Sequence, residues 1–301
     1  MAYLYTFAVA FLLARVLTPF VRTIAVQAKI IDVPNHRKLH KEPLAKIGGI
    51  AIYLAFAVSL FWLLGRGYVS VVYVLSGAGI ILIVGFLDDV MGISPLAKAA
   101  GQVLAAMVLI GNGIKIGFFP DIVSIPLTFF WMVGIMNAIN LLDGMDGMAA
   151  GVSTVAASFL MVFALGNSEP QVALIAAALA GACLGFLRFN FHKASIFMGD
   201  TGSLFLGFVL ASLGVMSTIK SGDLIHLFIP VIILGIPIFD TTLAVLRRLV
   251  KRRPIFDADT DHFYEWLWKN KVFGYKTVVV GTYLICVLLG LIALAVRWKY
   301  G

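Results

Sequence analysis

VSVVYVLSGAGIILIVGFLDDV, residues 69–90, decides how this chain is read. Positions 69–87 carry no charge, and Asp88 and Asp89 follow at once. A bilayer core takes about 20 apolar residues of helix, so 69–87 reads as a membrane span and the two aspartates as its aqueous end. Adjacent carboxylates repel each other until a divalent cation, a lysine or a shared proton relieves them. A helix C-terminus also disfavours negative charge, so this placement calls for a compensating cation. Lys98, ten positions on at the start of the next apolar run, can return to the same place.

The rest of the chain repeats the pattern. Of its 301 residues, 61% are hydrophobic and only 13% charged, about half the charge of a soluble domain. Spans are expected near 3–21, 48–65, 69–87, 97–112, 122–139, 148–166, 171–187, 202–219, 224–246 and 276–297. This is an all-α, polytopic membrane bundle of about ten transmembrane helices, read as a single domain over 1–301. The first apolar segment has no basic start of the kind a cleaved signal peptide carries, and reads as a retained helix. Cys183 and Cys286 lie in apolar runs and read as small hydrophobes, not as a disulfide or metal pair.

Charge orients the bundle. Seventeen Lys and Arg fall on one side of these spans and five on the other. The positive-inside rule then puts the first side in the cytosol and both termini outside. The net charge of +8 follows from topology and anionic lipid and gives no reason to invoke nucleic acid. Twelve of the fifteen acidic residues share the cytosolic side. Ionisable groups at a bilayer boundary mark function by default, so the site belongs to the cytosolic segments 22–47, 88–97, 140–147, 188–201 and 247–275.

Four motifs carry the chemistry. Asp88 and Asp89 are the first. In the second, Asn140, Asp143 and Asp146 are spaced i, i+3, i+6, along one flank of a helix, while Gly144 and Gly147 permit close approach or a helix break. In the third, Gly199-Asp200-Thr201-Gly202-Ser203 opens the eighth span. Such residues are ordinary N-caps, yet a helix start also holds phosphate while the carboxylate holds a metal. Asn190 and Phe197 precede it in the same loop, suited to hydrogen bonding and to stacking a nucleobase. The fourth, DADTDH (257–262), ends at His262, followed by aromatics that read as an interfacial belt or a short amphipathic helix. The basic loop with His40 and Lys41 is explained mostly by orientation, and Asp240, two turns inside the ninth span, pairs with a base or braces the site.

Taken together, the motifs resemble the polyprenyl-phosphate N-acetylhexosamine-1-phosphate transferases, the MraY/WecA/TagO superfamily. The likeness runs from Asp32-Val33-Pro34-Asn35 and Gly48-Gly49 through Asp88-Asp89, Ser94-Pro95-Leu96, Lys98, Asn140 to Gly147, Phe197 to Ser203 and Asp240-Thr241-Thr242. It implies Mg²⁺-dependent attack of undecaprenyl phosphate on a UDP-N-acetylhexosamine, releasing UMP, with Mn²⁺ as a substitute metal. That is the first membrane step of cell-envelope polysaccharide synthesis, on the cytosolic face of the bacterial inner membrane. By motif match, Asp88 is the activating carboxylate with Asp89 beside it. Asp200 binds metal with Asp143 near it or the diphosphate, and Asp146 and Phe197 hold uracil. Asn140, Asn190 and Lys98 position phosphates, His40 and Lys41 being weaker candidates. The resemblance also implies a homodimer.

One stretch departs from the pattern. The WecA/TagO branch carries an HxHH run in its last cytosolic loop, where this chain has His262-Phe263-Tyr264-Glu265. Pro43 to Gly49 and the Asp-Ala-Asp lead-in look closer to that branch, which favours UDP-GlcNAc over UDP-MurNAc-pentapeptide or a deoxy-aminohexose donor. A transporter or flippase would place its ionisable groups near the midplane, often in paired repeats, and no repeat is evident. A CDP-alcohol phosphotransferase needs an Ala-Arg pair after Asp143-Gly144, and no arginine follows until Arg188.

Overall fold

The computed structural model describes residues 1–34, 42–63, 66–218, 225–251 and 263–300. His40, Lys41 and His262 lie outside the described residues. The chain runs α1 (Ala2–Gln27), β1 (Ile31–Asp32), β2 (Leu44–Ala45), α2 (Gly49–Leu60) with a 3₁₀ turn (Phe61–Leu63), α3 (Val69–Met91) and α4 (Pro95–Gly111). It continues through α5 (Asp121–Leu142), α6 (Met148–Gly166), α7 (Pro170–Asn190), α8 (Gly199–Met216), α9 (Ile225–Ile233), α10 (Gly235–Val250), α11 (Phe263–Lys269) and α12 (Tyr275–Tyr300).

Seven of these, α1, α3, α5, α6, α7, α8 and α12, are long and apolar enough to cross a membrane, while α2 with its 3₁₀ turn and α4 are apolar but shorter. The protein is an all-α polytopic membrane bundle. The expected unbroken span at 224–246 is not there: α9 and α10 meet at a 77° bend. Proline explains it. Pro237 has no N–H for the carbonyl of Ile233 one turn earlier, and Pro230 interrupts α9 as well; missing helical bonds of this kind kink or break a helix.

The bundle is built around α8 and α7. Of their apolar windows 89% and 78% lie buried, against 28% for α1 and α12. The inner helices therefore set where the polar ends converge, and α1 and α12 lie at the periphery. Among the described residues the one pairing between strands is short, Ile31 opposite Ala45 and Asp32 opposite Leu44, antiparallel. Ala45 also bridges in parallel to Ile196, and Phe197 N–H donates to the Ala45 carbonyl at 2.8 Å. The ladder extends into the glycine pair: Gly48 N–H donates to Phe197 O at 2.9 Å and Gly49 N–H to Met198 O at 3.0 Å. A Cβ on Gly49 would stand 2.2 Å from the Gly202 backbone nitrogen, so only glycine lets α2 start against the start of α8.

Candidate active site

The C-terminal ends of α3 and α5 and the N-terminal ends of α4 and α8 meet at one end of the bundle. Asp88 and Asp89 are consecutive on α3 and so point about 100° apart, and their surroundings differ. Asp88 accepts the Ile93 N–H at 2.9 Å through Oδ1, and its Oδ2 is ion-paired with Lys98. The lysine expected to return to the aspartates does so, and the same ammonium reaches Oδ2 of Asp200. From α5, Asn140 donates its amide to Asp200 Oδ1 at 3.0 Å and to the Ser203 hydroxyl at 2.8 Å.

Asp89 turns to the first turn of α8. Its carboxylate accepts the N–H of Asp200 at 3.1 Å, the N–H of Thr201 at 2.9 Å and the Thr201 hydroxyl at 2.6 Å. Met198, which precedes α8, offers no side-chain cap. Asp89 thus supplies the cap from another helix, satisfying free N–H groups and complementing the helix dipole. Asp200 itself is not the N-cap, which leaves its carboxylate for Lys98 and Asn140. Gly199 enters the helix at φ +68°, and a Cβ there would sit 2.0 Å from the Lys46 carbonyl.

The single-flank arrangement of Asn140, Asp143 and Asp146 ends at Leu142. There α5 stops, with Asp143 just beyond it, and Gly147 takes φ +80° before α6. The break permitted by the two glycines is the one realised. Asp143 keeps part of its surface accessible, and its carboxylate is engaged by no side chain or backbone donor among the described residues. Protein on its other sides pushes the carboxyl well above the ordinary carboxylate range, first by desolvation and then through the charges of Asp200, Asp89 and Asp146.

Asp146 and Asn190 act on backbone. Asp146 Oδ2 accepts the Ala194 N–H at 3.0 Å and lies 3.8 Å from His192 Nδ1. Its own N–H donates to the Tyr275 hydroxyl. Asn190, fully buried at the end of α7, accepts the Gly147 N–H at 3.1 Å and donates to the Ile196 carbonyl at 3.0 Å. Phe197 is partly exposed beside this loop, its backbone paired with Ala45 and Gly48.

The structure therefore brings Asp88, Lys98, Asn140 and Asp200 into one contact network. Asp89 stands behind it, Asp143 is coupled to it through charge, and Asp146, Asn190 and Phe197 lie on the neighbouring loop. Sequence reasoning missed Ser203 and Thr201, although both stand in the quoted Gly199–Ser203 run. It also missed His192 and Tyr275, whose rings stack at 4.6 Å beside Asp146 and carry no motif of their own. α11 opens the last described segment, 263–300. It is tied by the Tyr264 hydroxyl to Leu141 O at 2.8 Å and by the Phe263 N–H to Asp240 Oδ1 at 3.3 Å. Asp240 thus braces α11. Between α10, α11 and α12 lies an apolar cavity of about 610 Å³, lined among others by Ile236, Phe239, Tyr264, Leu267, Val278 and Leu289.

Among the described residues, no three His, Cys, Asp or Glu side chains converge as a metal cage. That donor set still fits Mg²⁺, which sites handling phosphates hold by one or two carboxylates and the substrate's own oxygens. Asp200 and the unengaged Asp143 are the carboxylates at this end of the bundle that could hold one.

This geometry, acids at helix ends around one lysine in a membrane bundle, accords with what the chain is similar to. Residues 71–218 match the glycosyl transferase family 4. Over 97% of its length the chain is 36% identical to a probable undecaprenyl-phosphate N-acetylglucosaminyl 1-phosphate transferase of Bacillus subtilis (strain 168), covering 84% of that protein. It is 35% identical to the decaprenyl-phosphate N-acetylglucosaminephosphotransferase of Mycolicibacterium smegmatis, over 83% of this chain and 71% of the relative. It is 33% identical to the phospho-N-acetylmuramoyl-pentapeptide-transferase of Caldanaerobacter subterraneus, over 72% and 74%. The chain belongs to the polyprenyl-phosphate N-acetylhexosamine-1-phosphate transferase superfamily.

Proposed function

We propose that the chain transfers N-acetylglucosamine-1-phosphate from UDP-GlcNAc to undecaprenyl phosphate in a Mg²⁺-dependent reaction, at the cytosolic face of a bacterial inner membrane. The observation that carries the reading is the convergence on Asp200 of Lys98 from α4 and Asn140 from α5, with Asp88 of α3 on the same ammonium. Two anionic substrates meet in this reaction, so neutralising and positioning their charge is the main catalytic task. Two of the three relatives' names carry both a polyprenyl phosphate and an N-acetylglucosamine group, which supports this acceptor and this sugar.

Mg²⁺ bound by Asp200 and Asp143 would supply charge neutralisation at the diphosphate. Lys98 then holds a phosphate oxygen between the two carboxylates it already bridges. Asp88 takes the proton of the lipid phosphate where one is present. Both of its oxygens engage donors, Ile93 N–H and Lys98, which dampens its nucleophilicity and supports direct attack by the lipid phosphate. Asn140 fixes the rotation of the Asp200 carboxylate, and Asp89 holds the start of α8 on which Asp200 sits. Asp146 and Phe197, on the adjoining loop, face the role of holding uracil. The apolar cavity between α10 and α12 suits an isoprenoid chain lying alongside the site.

The test supplies UDP-GlcNAc, UDP-MurNAc-pentapeptide and a UDP-deoxy-aminohexose separately, with undecaprenyl phosphate, with and without Mg²⁺, and reads UMP release. Release with UDP-GlcNAc only when Mg²⁺ is present is expected. Turnover of another donor alone would overturn the sugar assignment, and release with none of them would overturn the reaction.

A further inference from the structure

One turn deeper in the bundle, below Lys98 and Asn140, two amide side chains face each other across α4 and α5. Gln102 Nε2 donates to Asn137 Oδ1 at 3.2 Å, and Asn137 Nδ2 donates back to Gln102 Oε1 at 3.1 Å. Asn137 Nδ2 also reaches the Val133 carbonyl of its own helix at 2.8 Å. Gln102 is 1% exposed. Neither residue touches the charged cluster.

Their register does. Gln102 follows Lys98 by four residues on α4, and Asn137 precedes Asn140 by three on α5, so each amide shares a helix face with one Asp200 ligand. Lys98 and Asn140 grip the two different oxygens of one carboxylate, which demands a fixed axial offset between α4 and α5. A slip of one residue moves a helix by about 1.5 Å. The four-carbon stem of Lys98 could follow such a slip and so cannot prevent it. A reciprocal pair of short amides, both atoms of each engaged, does prevent it. Interhelical hydrogen bonds in membranes add little to stability on average, which leaves alignment as the larger effect of this pair.

We infer that Gln102 and Asn137 are positioning residues that lock α4 against α5 and thereby set Lys98 and Asn140 together on Asp200. The inference rests on the transferase reading above. The test compares the double variant Gln102→Leu/Asn137→Leu with the exchanged pair Gln102→Asn/Asn137→Gln and the wild type, by UMP release and thermal unfolding in detergent. Replacing both amides by apolar side chains of similar size leaves no orphaned partner across the interface, so the Leu pair is expected to unfold near the wild-type temperature. Its kcat per folded molecule should fall about tenfold to a hundredfold, the scale of an ångström misplacement, while KM for UDP-GlcNAc changes by less than about threefold, as for an interaction that matters in the transition state. The exchanged pair keeps the same combined length and bonds, and should recover kcat to within about threefold of wild type.

A Leu pair with wild-type kcat overturns the inference, as does an exchanged pair as slow as the Leu pair. If the variants lose folded protein and melting temperature while kcat per folded molecule holds, the pair is structural only and the inference fails. A wild type that releases no UMP from any donor breaks the transferase reading instead, and is seen in the same assay.

Discussion

The cluster around Lys98 and the clamp around Asn190 occupy adjoining parts of the site and are built differently. In the cluster, side chains hold one another: Asp88 and Asp200 share Lys98, and Asn140 adds a bond to Asp200. In the clamp, a side chain holds backbone: Asn190 accepts the Gly147 N–H and donates to the Ile196 carbonyl. A network of ionised ends can open to admit phosphate oxygens, since substrate charge replaces internal partners. Buried bonds to backbone have no such substitute and fix the loops that frame the cleft. The contrast separates residues that should act on rate from residues that should act on stability.

The largest effect is expected at Asp200 and Asp88. Asp200→Asn or Asp88→Asn should lower kcat by about 10²–10³ or more, the cost of removing one group that handles transition-state charge, with folding retained. A variant of either at near-wild-type rate would break the division. Asp89→Asn sharpens it. The amide keeps an acceptor but loses the charge that caps α8, so a loss of about 1–2 kcal/mol in stability should accompany a smaller fall in kcat, read by detergent unfolding and UMP release together. Asn190→Ala should invert the pattern. It strands a buried N–H and a buried carbonyl, at about 1–3 kcal/mol of stability, with kcat of the surviving folded protein closer to wild type than in the Asp88 variant.

Asp143 offers a test by pH. Its carboxyl lies well above the ordinary range in the folded chain and titrates normally once unfolded. The folded state therefore binds that proton more tightly, and this contribution to stability is present at low pH and lost as pH rises through the folded value. Asp143→Asn removes the loss. In EDTA it should raise the melting temperature at pH 8 relative to wild type, shrink that difference on acidification, and abolish UMP release. The smallest effect is expected for Tyr264→Phe, which deletes one bond to Leu141 O at about 1 kcal/mol and tests how far α11 steadies the end of α5.

Much of the fold was legible because apolar runs of helix length have few alternatives in lipid. The stretch at 69–90 led to a helix ending in two aspartates, and Lys98 returned to them as its spacing allowed. What separates Asp88 from Asp89 was not legible: consecutive letters share composition and motif, and only the packing of α3 on α8 decides which faces the cleft. The break at Leu234 was written in Pro230 and Pro237 but hidden by hydropathy, which weighs apolar content and ignores missing N–H groups. Asn140, Asp143 and Asp146 showed helical spacing, while the glycines between them carried the opposing instruction and prevailed. Asn137 opens the Asn137–Gly147 run, but Gln102 is an isolated amide in an apolar stretch, and pairing across 35 positions leaves no local pattern to find.

Asp89 reaches the start of α8 across 111 and 112 positions of sequence. The ribosome therefore delivers the cap long before the helix it caps, and α3 must wait in the bilayer with a bare carboxylate until α8 emerges. Chains fold broadly in order of synthesis, N-terminal parts first. The catalytic end of the bundle is thus completed late in biogenesis, and a chain truncated between residues 98 and 199 would carry the Asp88–Lys98 pair without Asp200 to complete it.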